Sequence, residues 1–147
     1  MNNKNWIYRP KSEKQIKNMF LTKKPMGFKS LIDFQNWYNK NPKVCKYCGL
    51  TEEESQEIIH RGLLKSKRFP LSGLIRRGVF RGYWLEIDRK NPDGPYSTEN
   101  CVFSCTFCNN DKSDIFSYNQ YLEFREDRIS FLRKLLNKYK LIIQNYQ

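Results

Sequence analysis

The stretch EIDRKNPDGPYSTENCVFSCTFCNNDK, which runs from Glu86 to Lys112, decides the fold of this chain. Its composition predicts a strand over 83–88 that continues into this stretch and a second strand over 101–104. The Asn-Pro-Asp-Gly-Pro run between them is typical of a turn. A helix is expected to begin at Cys105 or Thr106. The order strand, long turn, strand and helix predicts a small α+β core.

Four cysteines form two Cys-x-x-Cys pairs, Cys45 with Cys48 and Cys105 with Cys108. This spacing lets both sulfurs of a pair bind one ion, and four thiolates complete a tetrahedral zinc site without an open position. One structural zinc ion per chain would therefore join distant parts of the chain and stabilise the fold. The fifth cysteine, Cys101, is expected to be a small buried thiol, although its closeness to Cys105 leaves the choice of pair open.

Two side chains beside the second pair offer oxygen ligands. Asp88 lies at the end of the first predicted strand, and Asn109 follows Cys108 directly. Oxygen ligands favour a harder metal than zinc. The segment therefore indicates two metal roles, one filled by sulfur and one by oxygen.

The composition favours a polyanionic partner. The 147 residues carry a formal net charge of +12, and 15% of them are aromatic. Basic residues interleaved with aromatic ones suit phosphate contacts combined with stacking, so nucleic acid is the first candidate and an anionic membrane surface the second. The length fits a single domain.

The sequence also predicts a compartment. Because no apolar run approaches the roughly 18 residues that a membrane span needs, no membrane association through a span is expected. The first residues lack the apolar stretch of a secretory signal. We therefore expect a cytoplasmic protein, in which reduced thiols bind metal rather than form disulfides.

Helices are expected around the core. The pattern predicts helices over 11–24, over 31–39 with Ser30 as N-cap, and over 52–64 with a capping box at Thr51 and Glu54. Residues 1 to about 10 are expected to be loosely held.

A long amphipathic helix is expected to begin after Ser117 and to bend near Glu126 and Asp127. Its apolar face either packs on the core of the same chain or is shared with a second copy. A basic segment over 65–82, punctuated by Pro and Gly, is expected to be an extended hairpin or a loop.

The ordered pattern resembles the HNH, or ββα-metal, nuclease family and its zinc-stapled branch. The upstream residues resemble the compact rare-cutting HNH restriction endonucleases in particular, and Pro95 is a departure because it separates Gly94 from Tyr96. The resemblance covers 31–118, with 1–30 as an N-terminal helical arm and 119–147 as a C-terminal helix of the same single domain, 1–147. The matching residues are Trp37, Tyr38, Cys45, Cys48, Gly49, Ile87, Asp88, Arg89, Gly94, Tyr96, Ser97, Asn100, Cys105, Cys108, Asn109, Lys112 and Ser113.

The resemblance implies a role for each site residue. Asp88 and Asn109 would bind a catalytic divalent ion, Mg²⁺ or Mn²⁺. Asn100 would hold the loop between the strands. Lys112 would contact a phosphate, because it lies three residues after Asn109 on the helix.

Arg89 stands where the family usually has a histidine that acts as general base. A guanidinium cannot accept a proton at neutral pH, but it can bind a phosphate through two hydrogen bonds. The base is therefore expected to be His60, the single histidine, or Tyr38; otherwise the metal and the phosphate activate the water without a side chain.

The function implied is that of a metal-dependent endonuclease acting on double-stranded DNA, as a homodimeric type II restriction enzyme. Two alternatives stay open: a phage-type or homing HNH nicking endonuclease, and a non-catalytic zinc-ribbon DNA-binding protein. The residues expected to contact DNA besides Lys112 form the densest basic run, namely Lys65, Lys67, Arg68, Arg76, Arg77 and Arg81.

Overall fold

The structure is a computed structural model that describes residues 6–22, 27–70 and 73–144. Six helices and a two-stranded sheet lie in these ranges. In chain order they are α1 (Glu13–Thr22), α2 (Leu31–Lys40), α3 (Glu52–His60), β1 (Glu86–Arg89), β2 (Cys101–Ser104), α4 (Thr106–Lys112), α5 (Tyr118–Phe124) and α6 (Glu126–Gln144).

The two strands form an antiparallel hairpin, as predicted. β1 pairs with β2 so that Glu86 lies opposite Ser104 and Asp88 opposite Val102. The predicted bounds of β2 are confirmed, but β1 begins three residues later than expected. The reason is that the preceding backbone bonds to a helix: the Leu85 amide donates to the Glu52 carboxylate at 2.9 Å.

Three predicted helix starts are confirmed. Ser30 caps α2 by accepting from the Asp33 amide, and Thr51 and Glu54 form a capping box at α3. Ser117 caps α5 and forms a second capping box with Gln120. In each case the side-chain oxygen satisfies an amide that the first turn of a helix leaves unbonded.

Helix ends agree less well with the sequence pattern. α3 ends at His60 instead of near 64, because Gly62 adopts a left-handed φ of 66°. α1 begins at Glu13, and its predicted end at Lys24 lies outside the described residues.

The expected bend in the C-terminal helix is a break between α5 and α6. Leu132 and Leu136 of α6 are buried, and Arg133 donates to the Gly49 carbonyl at 2.9 Å. At these positions α6 packs against its own chain, as one of the two alternatives predicted. Phe131 on the same helix is 55% exposed.

An aromatic cluster joins α2 to β2. Phe34 is fully buried, and its ring contacts the rings of Phe28 and Trp37. Trp37 and Tyr38 in turn contact Phe103, with ring centres 5.0 Å and 5.1 Å apart. This packing fixes the hairpin on the helical layer.

The segment before α1 is held against the domain, contrary to the expectation for residues 1 to about 10, of which 6–10 are described. Tyr8 donates to Glu52 at 2.7 Å, and the Gln56 amide bonds to both the amide and the carbonyl of Arg9. The Trp84 indole also donates to the Arg9 carbonyl at 2.9 Å.

Gly82 permits close packing just before β1. It has a φ of 72°, and a Cβ there would lie 2.5 Å from Thr106 of α4 and 2.6 Å from Ile59 of α3. Only glycine accepts both the left-handed conformation and this approach. The position of β1 relative to α4 depends on it.

None of the helices in the described ranges is both long enough and apolar enough to span a bilayer.

Candidate functional site

Four cysteine sulfurs form one compact cluster. The Sγ atoms of Cys45, Cys48, Cys105 and Cys108 all lie within 4.8 Å of one another, and those of Cys48 and Cys105 are 3.7 Å apart. Sulfurs held about 2.3 Å from one ion at the corners of a tetrahedron lie roughly 3.8 Å apart. The cluster therefore fits a structural zinc ion, and these two pairs are the ones the sequence predicted.

The backbone brings the two halves of the cluster together. Residues 45–48, here called the zinc knuckle, lie between the two partners of a bridge, Val44 and Thr51. The Lys46 amide donates to the Phe103 carbonyl of β2 at 2.8 Å. Cys105 caps α4, where its sulfur accepts from the Cys108 amide. Cys101 is buried outside the cluster.

The thiols of the cluster do not ionise equally. Hydrogen bonds from the other thiols, that of Cys105 first, lower the pKa of the Cys45 thiol. Hydrogen bonds with Cys108 and Cys45 raise the pKa of Cys105, and burial adds to that effect. Several thiolates can share this space only if a positive ion balances them.

Asp88 lies at the floor of a second site, with two partners that hold its carboxylate. The Tyr47 hydroxyl donates to Oδ2, and the Lys112 ammonium lies 3.2 Å from the same oxygen. Burial, followed by the hydrogen bond to Asp88, raises the pKa of Tyr47. Tyr47 thus remains a hydrogen-bond donor to this carboxylate at neutral pH.

Lys112 is fully buried, which differs from the phosphate contact expected of it. Its ammonium also donates to the Arg89 carbonyl at 3.0 Å. The three-residue spacing from Asn109 does direct Lys112 toward β1, but its length brings the charge beneath Asp88 rather than to the surface.

Asn109 is oriented by a carboxylate that the sequence interpretation had not assigned. Its amide nitrogen donates to Glu86, which also accepts two hydrogen bonds from Arg81 at 3.1 Å and 3.0 Å. With Nδ2 committed to Glu86, Oδ1 of Asn109 is the atom left to serve as a metal ligand.

Glu86 and Asp88 share one face of β1, because side chains alternate along a strand. Burial opposes ionisation of Glu86, but hydrogen bonds from Arg81 and Asn109 outweigh it and lower the pKa. In the sequence, the two-residue spacing between Glu86 and Asp88 is the feature that indicates that both side chains lie on this face. Arg81 forms an ion pair with Glu86 and also contributes to the lining around Asp88, and its DNA contact stays a prediction.

A cavity of about 340 Å³ joins the candidate residues. Asp88, Arg89, Tyr96 and Asn109 all contribute to its lining. The Arg89 guanidinium lies 4.9 Å from the centre of the Tyr96 ring and donates to the Gly94 carbonyl at 3.0 Å. A phosphate placed in this cavity would have two arginines, Arg81 and Arg89, and the oxygen ligands of Asp88 and Asn109 within its walls.

Asn100 bonds to both ends of the turn between the strands. Its side chain accepts from the Asn91 amide at 2.9 Å and donates to the carbonyls of Asn91 and Pro95 at 3.0 Å and 2.9 Å. Asn100 itself lies outside the lining of the 340 Å³ cavity, so its contribution is to the shape of the turn between Arg89 and Tyr96.

The two candidate bases do not line this cavity. Tyr38 is 3% exposed and packs on Phe34 and Phe103, and burial raises the pKa of its hydroxyl. His60 ends α3 beside Gly73 and Tyr83, and burial followed by the charge of Arg61 lowers its pKa.

A larger groove of about 770 Å³ extends from the same site. Glu86, Ile87 and Asn109 contribute to its lining, as do residues of α1. Arg76 and Arg77 also line the groove, beside an isolated antiparallel bridge between Arg76 and Val79. Lys11 and Trp84 also line the groove and lie 5.4 Å apart, ammonium to ring centre.

The other predicted DNA contacts are solvent-exposed. Lys65, Lys67 and Arg68 lie in the turns after α3, outside the lining of both cavities. Of the predicted DNA contacts, Arg76, Arg77 and Arg81 therefore line the groove, whereas these three lie on the surface outside it.

The fold agrees with one solved structure. The chain superposes on the rare-cutting HNH restriction endonuclease PacI with a TM-score of 0.55 and 24% sequence identity, over 77% of this chain and 70% of that one. The chain has the HNH nuclease fold. No protein-family model matches the sequence, and no curated protein matches it.

The HNH fold accounts for the arrangement of the two sites. Its ββα unit corresponds here to β1, β2 and α4, and the four-cysteine cluster attaches the zinc knuckle to that unit. The small α+β core with its four-cysteine cluster is present as predicted from the sequence, and the predicted C-terminal helix is present as α5 and α6.

Proposed function

We propose that this protein is a metal-dependent endonuclease that hydrolyses phosphodiester bonds in double-stranded DNA. One observation carries the proposal: Asp88 of β1, Arg89 beside it and Asn109 of α4 line one cavity. Two oxygen ligands and an arginine are the groups that a phosphodiester hydrolase needs around a phosphate. The HNH fold and the net charge of +12 support the same conclusion.

Each residue of the cavity named above has a role in the proposed reaction. Asp88 and Asn109 would hold Mg²⁺ or Mn²⁺, which would activate a water molecule and stabilise the leaving 3′ oxygen. Arg89 would bind a non-bridging phosphate oxygen and oppose the charge that builds up in the transition state. Tyr96, under the guanidinium, would hold Arg89 in place.

Neither Tyr38 nor His60 is assigned as the general base in this proposal. Tyr38 is enclosed by aromatic rings, and neither it nor His60 lines the cavity. We therefore expect His60→Ala and Tyr38→Phe proteins to cleave at rates within a few-fold of the unmodified protein. A loss of about a hundredfold in either, the size that general-base loss produces, would contradict this assignment.

The groove along α1 is proposed to take the DNA strand that leads to the cavity. It combines the cations Lys11, Arg76 and Arg77 with the apolar side chains of Trp84 and Phe80. Glu86, the carboxylate in its lining, is neutralised by Arg81. Positive charge beside aromatic surface suits a nucleic-acid backbone with its sugars and bases.

The Arg76→Ala/Arg77→Ala double variant should bind duplex DNA more weakly and with less salt dependence. Two lost phosphate contacts reduce the slope of log K against log salt by about 1.8. Fluorescence anisotropy at several salt concentrations measures this slope. Lys134→Ala/Lys138→Ala removes the same charge from exposed positions of α6 and is the matched control. Equal slopes in the two double variants would contradict the proposed path.

We further propose a homodimeric type II restriction enzyme of the cytoplasm, because two copies related by two-fold symmetry cut both strands of a palindrome. The resemblance to a restriction endonuclease supports this choice. A nicking HNH enzyme would leave open-circular plasmid, whereas the dimer would produce linear plasmid with defined ends. Sedimentation on a cleavable duplex checks the subunit number.

The test of the function is incubation of plasmid and defined duplexes with the protein and Mg²⁺ or Mn²⁺. We expect cleavage that chelation of the divalent ion abolishes. Binding without cleavage across divalent ions and sequences would instead favour the zinc-ribbon DNA-binding protein.

A further inference from the structure

The zinc knuckle carries a tyrosine that reaches the candidate catalytic centre. Tyr47 stands between Cys45 and Cys48, two ligands of the four-cysteine cluster. Its side chain is 1% exposed, and its hydroxyl donates to Oδ2 of Asp88. Tyr47 thus lies in the loop that supplies two cysteines of the first site and bonds to the carboxylate of the second.

The orientation of Tyr47 is fixed on several sides. Its ring lies 5.5 Å from that of Tyr118 and 5.1 Å from that of Tyr121, in a tilted and an edge-on contact respectively. The adjacent Lys46 amide bonds to Phe103 in β2. A rigid ring in a closed loop has little freedom to turn its hydroxyl away from the carboxylate.

Asp88 is also held by Lys112, whose ammonium lies 3.2 Å from Oδ2 and 3.5 Å from Oδ1. A carboxylate offers about four acceptor positions on its two oxygens. Tyr47 and Lys112 therefore restrict the rotation of Asp88 and still leave acceptor positions for a cation.

We infer that Tyr47 is a positioning residue through which the zinc knuckle fixes the metal-binding carboxylate of Asp88. The inference rests on the proposed function. It makes the structural zinc ion a determinant of the second metal site, because the cysteines on either side of Tyr47 hold the loop from which the hydroxyl extends. Residues that orient metal ligands in this way affect metal affinity or activity by about 10- to 100-fold.

The test compares Tyr47→Phe with Tyr118→Phe. Both changes remove one hydroxyl from the same group of rings, but only Tyr47 donates to Asp88. Zinc content and the DNA affinity measured without divalent ions should be unchanged in both. Calorimetric titration with Mn²⁺ should show an affinity about tenfold lower in Tyr47→Phe, and the Mn²⁺ concentration for half-maximal cleavage should rise equally.

A double-mutant cycle separates the hydrogen bond from general effects on packing. The change in Tm caused by Tyr47→Phe is measured in the unmodified protein and in an Asp88→Asn background. A positioning bond predicts different changes in the two backgrounds, since contacting residues are not additive. Equal changes would show that the hydroxyl acts independently of Asp88 and would overturn the inference. This outcome would count equally if Tyr47→Phe lowered the zinc content.

The remaining outcomes are distinct. If the unmodified protein binds Mn²⁺ and Tyr47→Phe binds it equally well, the inference is wrong and the proposed function stands. If the unmodified protein neither binds Mn²⁺ nor cleaves DNA, the proposed function is wrong, and the inference is overturned with it.

Discussion

Asp88→Asn is expected to reduce DNA cleavage by about a thousandfold or more while the affinity for DNA changes little. The amide removes the negative charge that would hold the divalent ion, and the ion is worth several kcal/mol of transition-state stabilisation. A loss of about 4 kcal/mol corresponds to roughly a thousandfold in rate. Single-turnover cleavage of a defined duplex measures the rate, and anisotropy without divalent ions measures binding.

The same substitution is expected to lower stability, because Lys112 is fully buried and Asp88 is its acidic partner at 3.2 Å. Breaking a buried ion pair on one side costs about 3–5 kcal/mol. This cost has to be separated from catalysis, since an unfolded protein also fails to cleave.

The Asp88→Asn/Lys112→Met double variant makes that separation. Neutralising both partners removes the uncompensated charge, so the double variant should unfold at a higher temperature than Asp88→Asn alone. Cleavage should not return, because the ligand is still missing. Recovery of cleavage together with stability would show that Asp88 serves the fold rather than the metal.

The positions of the main elements follow from local chemistry. Ser30, Thr51 and Ser117 each satisfy an amide within three residues, so a short window of sequence is sufficient to predict these helix starts. The two Cys-x-x-Cys pairs are likewise local features, since each lies within four residues. The structure resolves the remaining ambiguity by burying Cys101 outside the cluster.

The partners of the site residues depend on tertiary contacts that no window contains. Arg81 has the sequence context of a DNA-binding arginine, and that context does not reveal its ion pair with Glu86 across the left-handed residue Gly82. In the sequence Lys112 resembles a surface lysine, but the packing of α4 on β1 buries it. Tyr47 resembles a packing residue of the zinc knuckle, and its bond to Asp88 spans 41 positions of sequence.

Arg89 was the departure that raised the question of the base. From the sequence, Tyr38 and His60 were candidates because their side chains can exchange protons. Neither residue lines the cavity, because Tyr38 packs in the aromatic cluster and His60 lies at the end of α3. Side-chain chemistry was readable from the sequence, but the distance to Asp88 was not.

Removal of the zinc ion is expected to unfold the core rather than only inactivate it. The four sulfurs connect the loop after α2 with the start of α4, and a two-stranded sheet offers little other support. Structural zinc contributes about 10–16 kcal/mol of apparent binding free energy in small domains. The free energy of unfolding of a protein is about 5–15 kcal/mol, so the loss of the zinc ion is comparable with the entire stability of the domain.

Cys105→Ser tests this expectation, with Cys101→Ala as its matched control. Both cysteines are buried, but only Cys105 belongs to the sulfur cluster. Elemental analysis should give about one zinc ion per chain in the unmodified and Cys101→Ala proteins and much less in Cys105→Ser. Circular dichroism should show cooperative unfolding for the first two, which a strong chelator eliminates. A Cys105→Ser protein that unfolds cooperatively at the unmodified temperature would contradict the structural role of the zinc ion, because the fold would then stand without the fourth thiolate.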